Sequence, residues 1–405
     1  MKTVLNKSLL FAKVADEKVL EPVSQVVCSE KTTWYIDQNG DLYGCGRGGS
    51  GQQGNNSSSD VNVFTKRASG VSKAACYEEA TWYITTTGDL YGCGFGNRGM
   101  QGSGSTSNVR AFTKRASNVA AVVSAEGVTW YVSKNGDLYG CGNNYKGQQG
   151  NGTTDNVTTF TKRASGVAQV ACTSDATWYV TNSGDLYGCG AGTYGKQGSG
   201  AIEDVNVFTK RASGVSHVVC SNTATWYVTT SGDLYGCGYN MSGQQGSVDT
   251  SNVLTFTKRA SSVAYVACSG GTTWYIASNG DLYGCGDGYY GQQGNGNTTN
   301  VTTFTKRASG VAQVFSSDSQ TRYVTTNGEL YSCGQNGEYQ QGSGDKTNVK
   351  TFVKRASKVS KVSCSAKTTW YISENGGLYG CGDGYYGQQG NASSDDVPTL
   401  TRRNL

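Results

Sequence analysis

Gly-Asp-Leu-Tyr-Gly-Cys-Gly occupies residues 40–46 and returns intact from Gly88, Gly136, Gly184, Gly232 and Gly280. Two altered copies follow, Gly-Glu-Leu-Tyr-Ser-Cys-Gly from Gly328 and Gly-Gly-Leu-Tyr-Gly-Cys-Gly from Gly376, so eight copies recur every 48 residues. Self-similarity at a fixed period identifies a repeat architecture and decides the fold before any single residue does.

Around each copy lie four strand-like runs. In the first unit they are Val26-Val27-Cys28, Thr33-Trp34-Tyr35-Ile36, Asp41-Leu42-Tyr43-Gly44-Cys45 and Val63-Phe64-Thr65-Lys66-Arg67. Asn39-Gly40 between the second and third runs is a hairpin signal, and Ser69-Gly70 follows the fourth. No helical period appears. One four-stranded blade cannot cover both of its faces, but a ring of blades can, so the pattern predicts an all-β, closed β-propeller of four-stranded antiparallel blades. Eight copies of every strand type favour eight blades; seven blades with a spare unit, or an open array, is the alternative. A blade boundary between the Trp-Tyr-Ile and Asp-Leu-Tyr runs would let the first and last strands share a blade and close the ring. The repeats fill residues 24–405, leaving 1–23 as a non-repeat segment suited to attaching the propeller to a larger assembly.

Composition agrees with short strands and tight turns: 58 glycines, 2 prolines and only 36% hydrophobic residues in 405. The net charge of +5 does not point to nucleic acid. No apolar run is long enough for a membrane helix. The N-terminal Leu9-Leu10-Phe11-Ala12 core is too short for a secretory signal and is cut off by Lys13 and Asp16. All 14 cysteines sit at two repeat positions, on strands with a third between them, about 9–10 Å apart. That is too far for a disulfide. Reduced, half-buried thiols and assembly in a reducing cytoplasm are expected.

Most repeated side chains read as architecture. All seven tryptophans (Trp34, Trp82, Trp130, Trp178, Trp226, Trp274 and Trp370) share one position, with Arg322 as the eighth occupant. Blade-to-blade packing explains them, as it does the phenylalanine series from Phe64 to Phe352 that ends in Leu400. No helix follows the glycines, so no helix N-terminus can cradle a phosphate. The Asp41-type carboxylates repeat one environment, whereas acid catalysis needs two different ones. They suit turn capping or pairing with the Lys-Arg pairs such as Lys66-Arg67. Neighbours on a strand face opposite ways, so those pairs cannot make one basic patch; blunted outer strands are the simpler reading. His217 is alone at a variable position, and neither a metal site nor a nucleophile–base pair can be assembled. No catalytic residue, metal or cofactor is implied.

Two loops per unit vary, one after the quoted motif and one between the first two strands, and alternating strand direction brings both to the same face. Arg47, Phe95, Arg98, Tyr145, Tyr194, Tyr239, Tyr289, Tyr290, Tyr385 and Tyr386 stand on the first of these loops. A Tyr-rich variable face on a rigid scaffold fits recognition of a protein or glycan; drift in unconstrained loops would also produce variation.

Gly-Asp-Leu-Tyr-Gly-Cys-Gly, four variable residues and Gly51-Gln52-Gln53-Gly54 together resemble the repeat of the regulator-of-chromosome-condensation family, from about Ser24 to Arg403. The resemblance implies a β-propeller, usually of seven blades, and partners such as a small GTPase or chromatin. The family's His before the Trp position is Thr33 or Thr81 here, and its fourth-strand proline survives only as Pro398, so no exchange-factor residue can be carried over. Near-identical repeats instead suggest recent duplication, as in adhesive proteins. The leading expectation is therefore a non-enzymatic recognition propeller of virion or phage-fibre type binding host-surface glycan or protein; an intracellular scaffold of the chromosome-condensation type is the alternative.

Overall fold

A computed structural model describes residues 22–317 and 319–405. The attachment segment expected over 1–23 lies outside the described residues, apart from Pro22 and Val23, which opens the first strand. Eight four-stranded antiparallel sheets follow one another along the chain. Blade 1 comprises Val23–Cys28, Thr32–Asp37, Leu42–Gly46 and Val61–Ala68, and blade 8 ends on Val397–Arg402.

The motif's alternation sets the register. In blade 4, Ala171 pairs with Trp178 and Trp178 with Gly188, so these side chains share one face. Gly188 is not in a left-handed conformation; a Cβ there would lie 2.2–2.6 Å from three ring atoms of Trp178. Glycine is therefore needed for the close approach of the indole. The ring continues across to blade 5, where it joins Val215, Val218 and Tyr227 and meets Phe256 edge-on at 5.9 Å. Burying a side chain of this size removes about 200 Å² from water, worth about 5 kcal/mol. Seven interfaces use this arrangement, and the tryptophan of each is wholly buried.

The expected blade boundary is wrong. Asn39-Gly40 closes a hairpin within blade 1, where Trp34 pairs with Gly44. The chain changes blades only after its fourth strand, at the Ser69-Gly70 turn. The first and last strands thus lie in different blades. The ring closes by side-chain packing: Val23, Val26 and Tyr35 meet Trp370, Ile372 and Leu378, Phe64 stands edge-on to Trp370 at 5.9 Å, and Val23 N donates to Gly376 O at 2.9 Å. Pro398 lies on an outermost strand, where a missing N–H breaks no ladder.

All 14 cysteines are free. Cys28 and Cys45 stand either side of Thr33, as the spacing predicted. The motif cysteines are fully buried rather than half-buried, because each thiol points at a backbone carbonyl of the preceding blade; Cys93 Sγ donates to Gln52 O at 3.4 Å. The repeated Asp pairs with the exposed Lys of its own blade, Asp137 with Lys162 at 2.8 Å, and accepts from Ser165 Oγ at 2.8 Å. Its neighbour Arg163 turns inward and is half-buried. The basic pairs are split between two faces, as alternation requires. His217 stacks on Tyr265 of the next blade at 5.9 Å, and burial lowers its pKa.

Candidate functional site

Both variable loops of every blade emerge on one face. The loop after the third strand is held by its glutamines. In blade 3, Gln149 Nε2 donates to Cys141 O at 2.9 Å, while Gln148 Oε1 accepts from Lys146 N at 2.9 Å and Gln148 Nε2 donates to Ser174 O of blade 4 at 2.9 Å. Gly-Gln-Gln-Gly is thus a clamp that fixes the loop and docks it on the next blade.

Two blades lack half of that clamp. Met100 and Lys196 replace the first glutamine. Buried Lys196 keeps the donor role, reaching Asn222 O at 2.9 Å and Asp175 at 2.7 Å, but offers no acceptor. Met100 offers neither. In just these loops the residue two places earlier, Arg98 or Tyr194, adopts positive φ, at 60° and 64°. Without the glutamine oxygen, Arg98 N donates to Asn97 Oδ1 at 2.8 Å instead, and Met100 N and Lys196 N each reach a carbonyl three residues back at 3.4 Å, closing a short 3-10 turn (Asn97–Gly99, Thr193–Gly195).

On blades 8 to 3 the loop side chains form a continuous, asymmetric arc. Tyr385 and Tyr386 pack edge-on at 4.9 Å, and Arg47 lies over the Tyr386 ring at 5.4 Å. Arg47 is ion-paired with Glu79, whose other oxygen accepts from Ser50 Oγ at 2.9 Å. Lys31 bridges Glu78 at 2.8 Å and Glu79 at 3.7 Å. Burial opposes the charge on Lys31, but hydrogen bonding and attraction from Glu78, with Glu79, hold its pKa above the ordinary lysine range. Beyond these residues opens a cavity of about 480 Å³ lined by Tyr77, Glu78, Glu79, Phe95, Arg98 and Glu126 among others. Arg98 closes the arc by lying over Tyr145 at 5.1 Å.

The structure therefore brings together six of the ten residues singled out in the sequence: Arg47, Phe95, Arg98, Tyr145, Tyr385 and Tyr386. Tyr194 and Tyr239 form a separate edge-on pair across blades 4 and 5 at 4.9 Å, and Tyr289 with Tyr290 another within blade 6. Tyr289, Tyr385 and Tyr145 are 70%, 72% and 59% exposed, so they face solvent and are not part of the core. The charged floor of Lys31, Glu78, Glu79 and Glu126 was not singled out; its signal is the acidic pair unique to the second unit's first loop. Among the described residues no cluster of His, Cys, Asp or Glu is arranged to hold a metal ion, and no helix is long and apolar enough to cross a membrane.

This architecture and repeat define an RCC1-like β-propeller, built here with eight blades. Human WBSCR16 is similar at 17% identity and a TM-score of 0.63, over 78% of this chain and 94% of that one. Prp20p from Saccharomyces cerevisiae, described with its binding to Gsp1p and histones, gives 15% and 0.64 over 82% and 91%. Yeast RCC1 (Prp20) bound to Kap60 gives 14% and 0.59 over 100% and 91%. At such identities the likeness shows the fold. No protein-family model and no curated protein sequence matches the chain.

Proposed function

We propose that this protein is a non-enzymatic, protein-binding scaffold of the RCC1-like kind that engages its partner through the arc on blades 8, 1, 2 and 3. The arc itself carries the reading. It combines Tyr and Arg, the residues enriched at binding hot spots, with balanced charge: Lys31, Arg47 and Arg98 against Glu78, Glu79 and Glu126. A folded protein surface fits such a pattern better than a polyanion does. Structures of similar fold are described as binding Gsp1p, histones and Kap60, all proteins. The adhesive, glycan-binding virion reading has no comparable support, so the intracellular scaffold expected as the alternative is preferred.

The test uses immobilised wild type and an Arg47→Ala, Arg98→Ala, Tyr145→Ala, Tyr386→Ala variant as baits in extract of the source cell, beside a glycan array. The proposal expects a discrete protein retained by the wild type and lost by the variant. Retention of a defined glycan with no protein partner would return the adhesive reading to first place.

A further inference from the structure

Blade 7 departs from the others along one cross-strand row. Elsewhere the row starts with Val, Ala or Ser and continues Trp, Gly, Thr, as in Val27–Trp34–Gly44–Thr65 of blade 1. In blade 7 it reads Phe315–Arg322–Ser332–Val353, and the phenylalanine that would face it from blade 8 is Leu400. The changes are mutually consistent. Loss of the indole removes the reason for glycine, so serine fits, and Phe315 refills space on the inner side.

The result is a guanidinium in the core. Arg322 is wholly buried and Ser332 is 2% exposed. One terminal nitrogen of Arg322 donates to Gln320 Oε1 and, at 3.0 Å, to Gln340 O. Its Nε and Nη1 find no acceptor among the described residues. Arg355 approaches from the fourth strand, donating through Nε to Ser332 Oγ at 2.9 Å, and its buried Nη2 is also without an acceptor. Arg355 thus brings a second, half-buried positive charge close enough to be repelled by Arg322, and although Asp345 attracts Arg355, no carboxylate is bonded to either arginine among the described residues. A buried charge without a counter-charge is among the costliest arrangements in a protein.

We infer that blade 7 holds a small monovalent inorganic anion of the halide class, bound by the free N–H groups of Arg322 and Arg355 and by the Ser332 hydroxyl, whose proton is not otherwise used. The row of substitutions would then make an internal anion site where seven other interfaces carry tryptophan.

Bromide is the probe. In crystals of the whole protein grown in sodium bromide, anomalous scattering should place one bromide within hydrogen-bonding distance of Arg322 and Arg355. In solution, exchanging gluconate for chloride at constant ionic strength should raise Tm by about 2 °C per tenfold increase in chloride beyond half-saturation. Arg322→Met, similar in size and uncharged, should lose that increment. Absence of bromide from this position overturns the inference, as does an equal chloride effect in wild type and Arg322→Met. The crystallographic arm needs no variant, so a variant that fails to fold leaves the test intact.

Discussion

Replacing Gly188 by alanine places a methyl group 2.2 Å from Cζ3, 2.5 Å from Cε3 and 2.6 Å from Cη2 of Trp178. Three atoms of one ring are met at once, and the ring is itself fixed between blades 4 and 5, so it cannot swing away as a flexible chain end would. Overpacking of this kind costs about 1–3 kcal/mol. Trp178→Ala alone should cost about 3–5 kcal/mol, because a wholly buried side chain is deleted. In the double variant the new methyl enters space the indole has left. The second substitution should then add less than about 0.5 kcal/mol, giving a coupling of about 1–3 kcal/mol in a double-mutant cycle. Guanidinium unfolding of the four proteins, followed by far-ultraviolet circular dichroism, supplies the free energies. Strict additivity, or a Gly188→Ala variant as stable as wild type, would refute the claim that glycine is required by the indole. Blade 7 already contains a natural version of the cycle, with Ser332 beneath Arg322.

Further outcomes follow from the same physical picture. Burial raises the pKa of thiols such as Cys93, Cys141 and Cys189, and takes Cys381 to about 12. Stability from these neutral thiols is present below the unfolded-state value and lost as pH rises above it, by about 1.4 kcal/mol per thiol per unit beyond about pH 8.5. A denaturation midpoint that stays flat from about pH 8 to 10 contradicts this. Conversely, hydrogen bonds from lysine, then serine, lower the pKa of Asp89, Asp137 and Asp185, so their contribution is present above the ordinary aspartate value and disappears on acidification through the lowered one. Met100→Gln should restore the missing acceptor, return Arg98 to negative φ and relieve about 1 kcal/mol of left-handed strain. A crystal structure of that variant with Arg98 still at positive φ would discard the clamp explanation.

The fold was legible because each unit repeats two short-range signals, the Asn39-Gly40 hairpin and the period-2 alternation of the quoted motif, and because the 48-residue period counts the blades. The blade boundary was not. Strand runs alone leave open which turn stays within a sheet and which crosses between sheets. The answer lies in the pairing of Trp34 with Gly44, a contact between strands. Depth of burial was also misjudged for the motif cysteines, since the carbonyl that each one faces belongs to the neighbouring blade.

At the candidate site, variation among repeats marked the face on which the arc lies and six of its residues. The separation of Tyr194 and Tyr239 from it follows from blade order, which a list of variable positions does not display. Lys31, Glu78 and Glu79 were missed because they come together only by contact across blades 1 and 2, about 48 residues apart in the chain. The left-handed loops at Arg98 and Tyr194 had a visible signal after all, in the replacement of one glutamine by Met100 or Lys196.

Hydrogen–deuterium exchange of the protein with and without its captured partner tests most directly whether recognition belongs to one face of the ring, on blades 8 to 3. Protection concentrated in the loops bearing Lys31, Arg47, Glu78, Arg98, Tyr145 and Tyr386 is the predicted result. Protection confined to the opposite-face turns at Asn39-Gly40 and Ser69-Gly70, or to the outer strands bearing the Lys-Arg pairs, would contradict it.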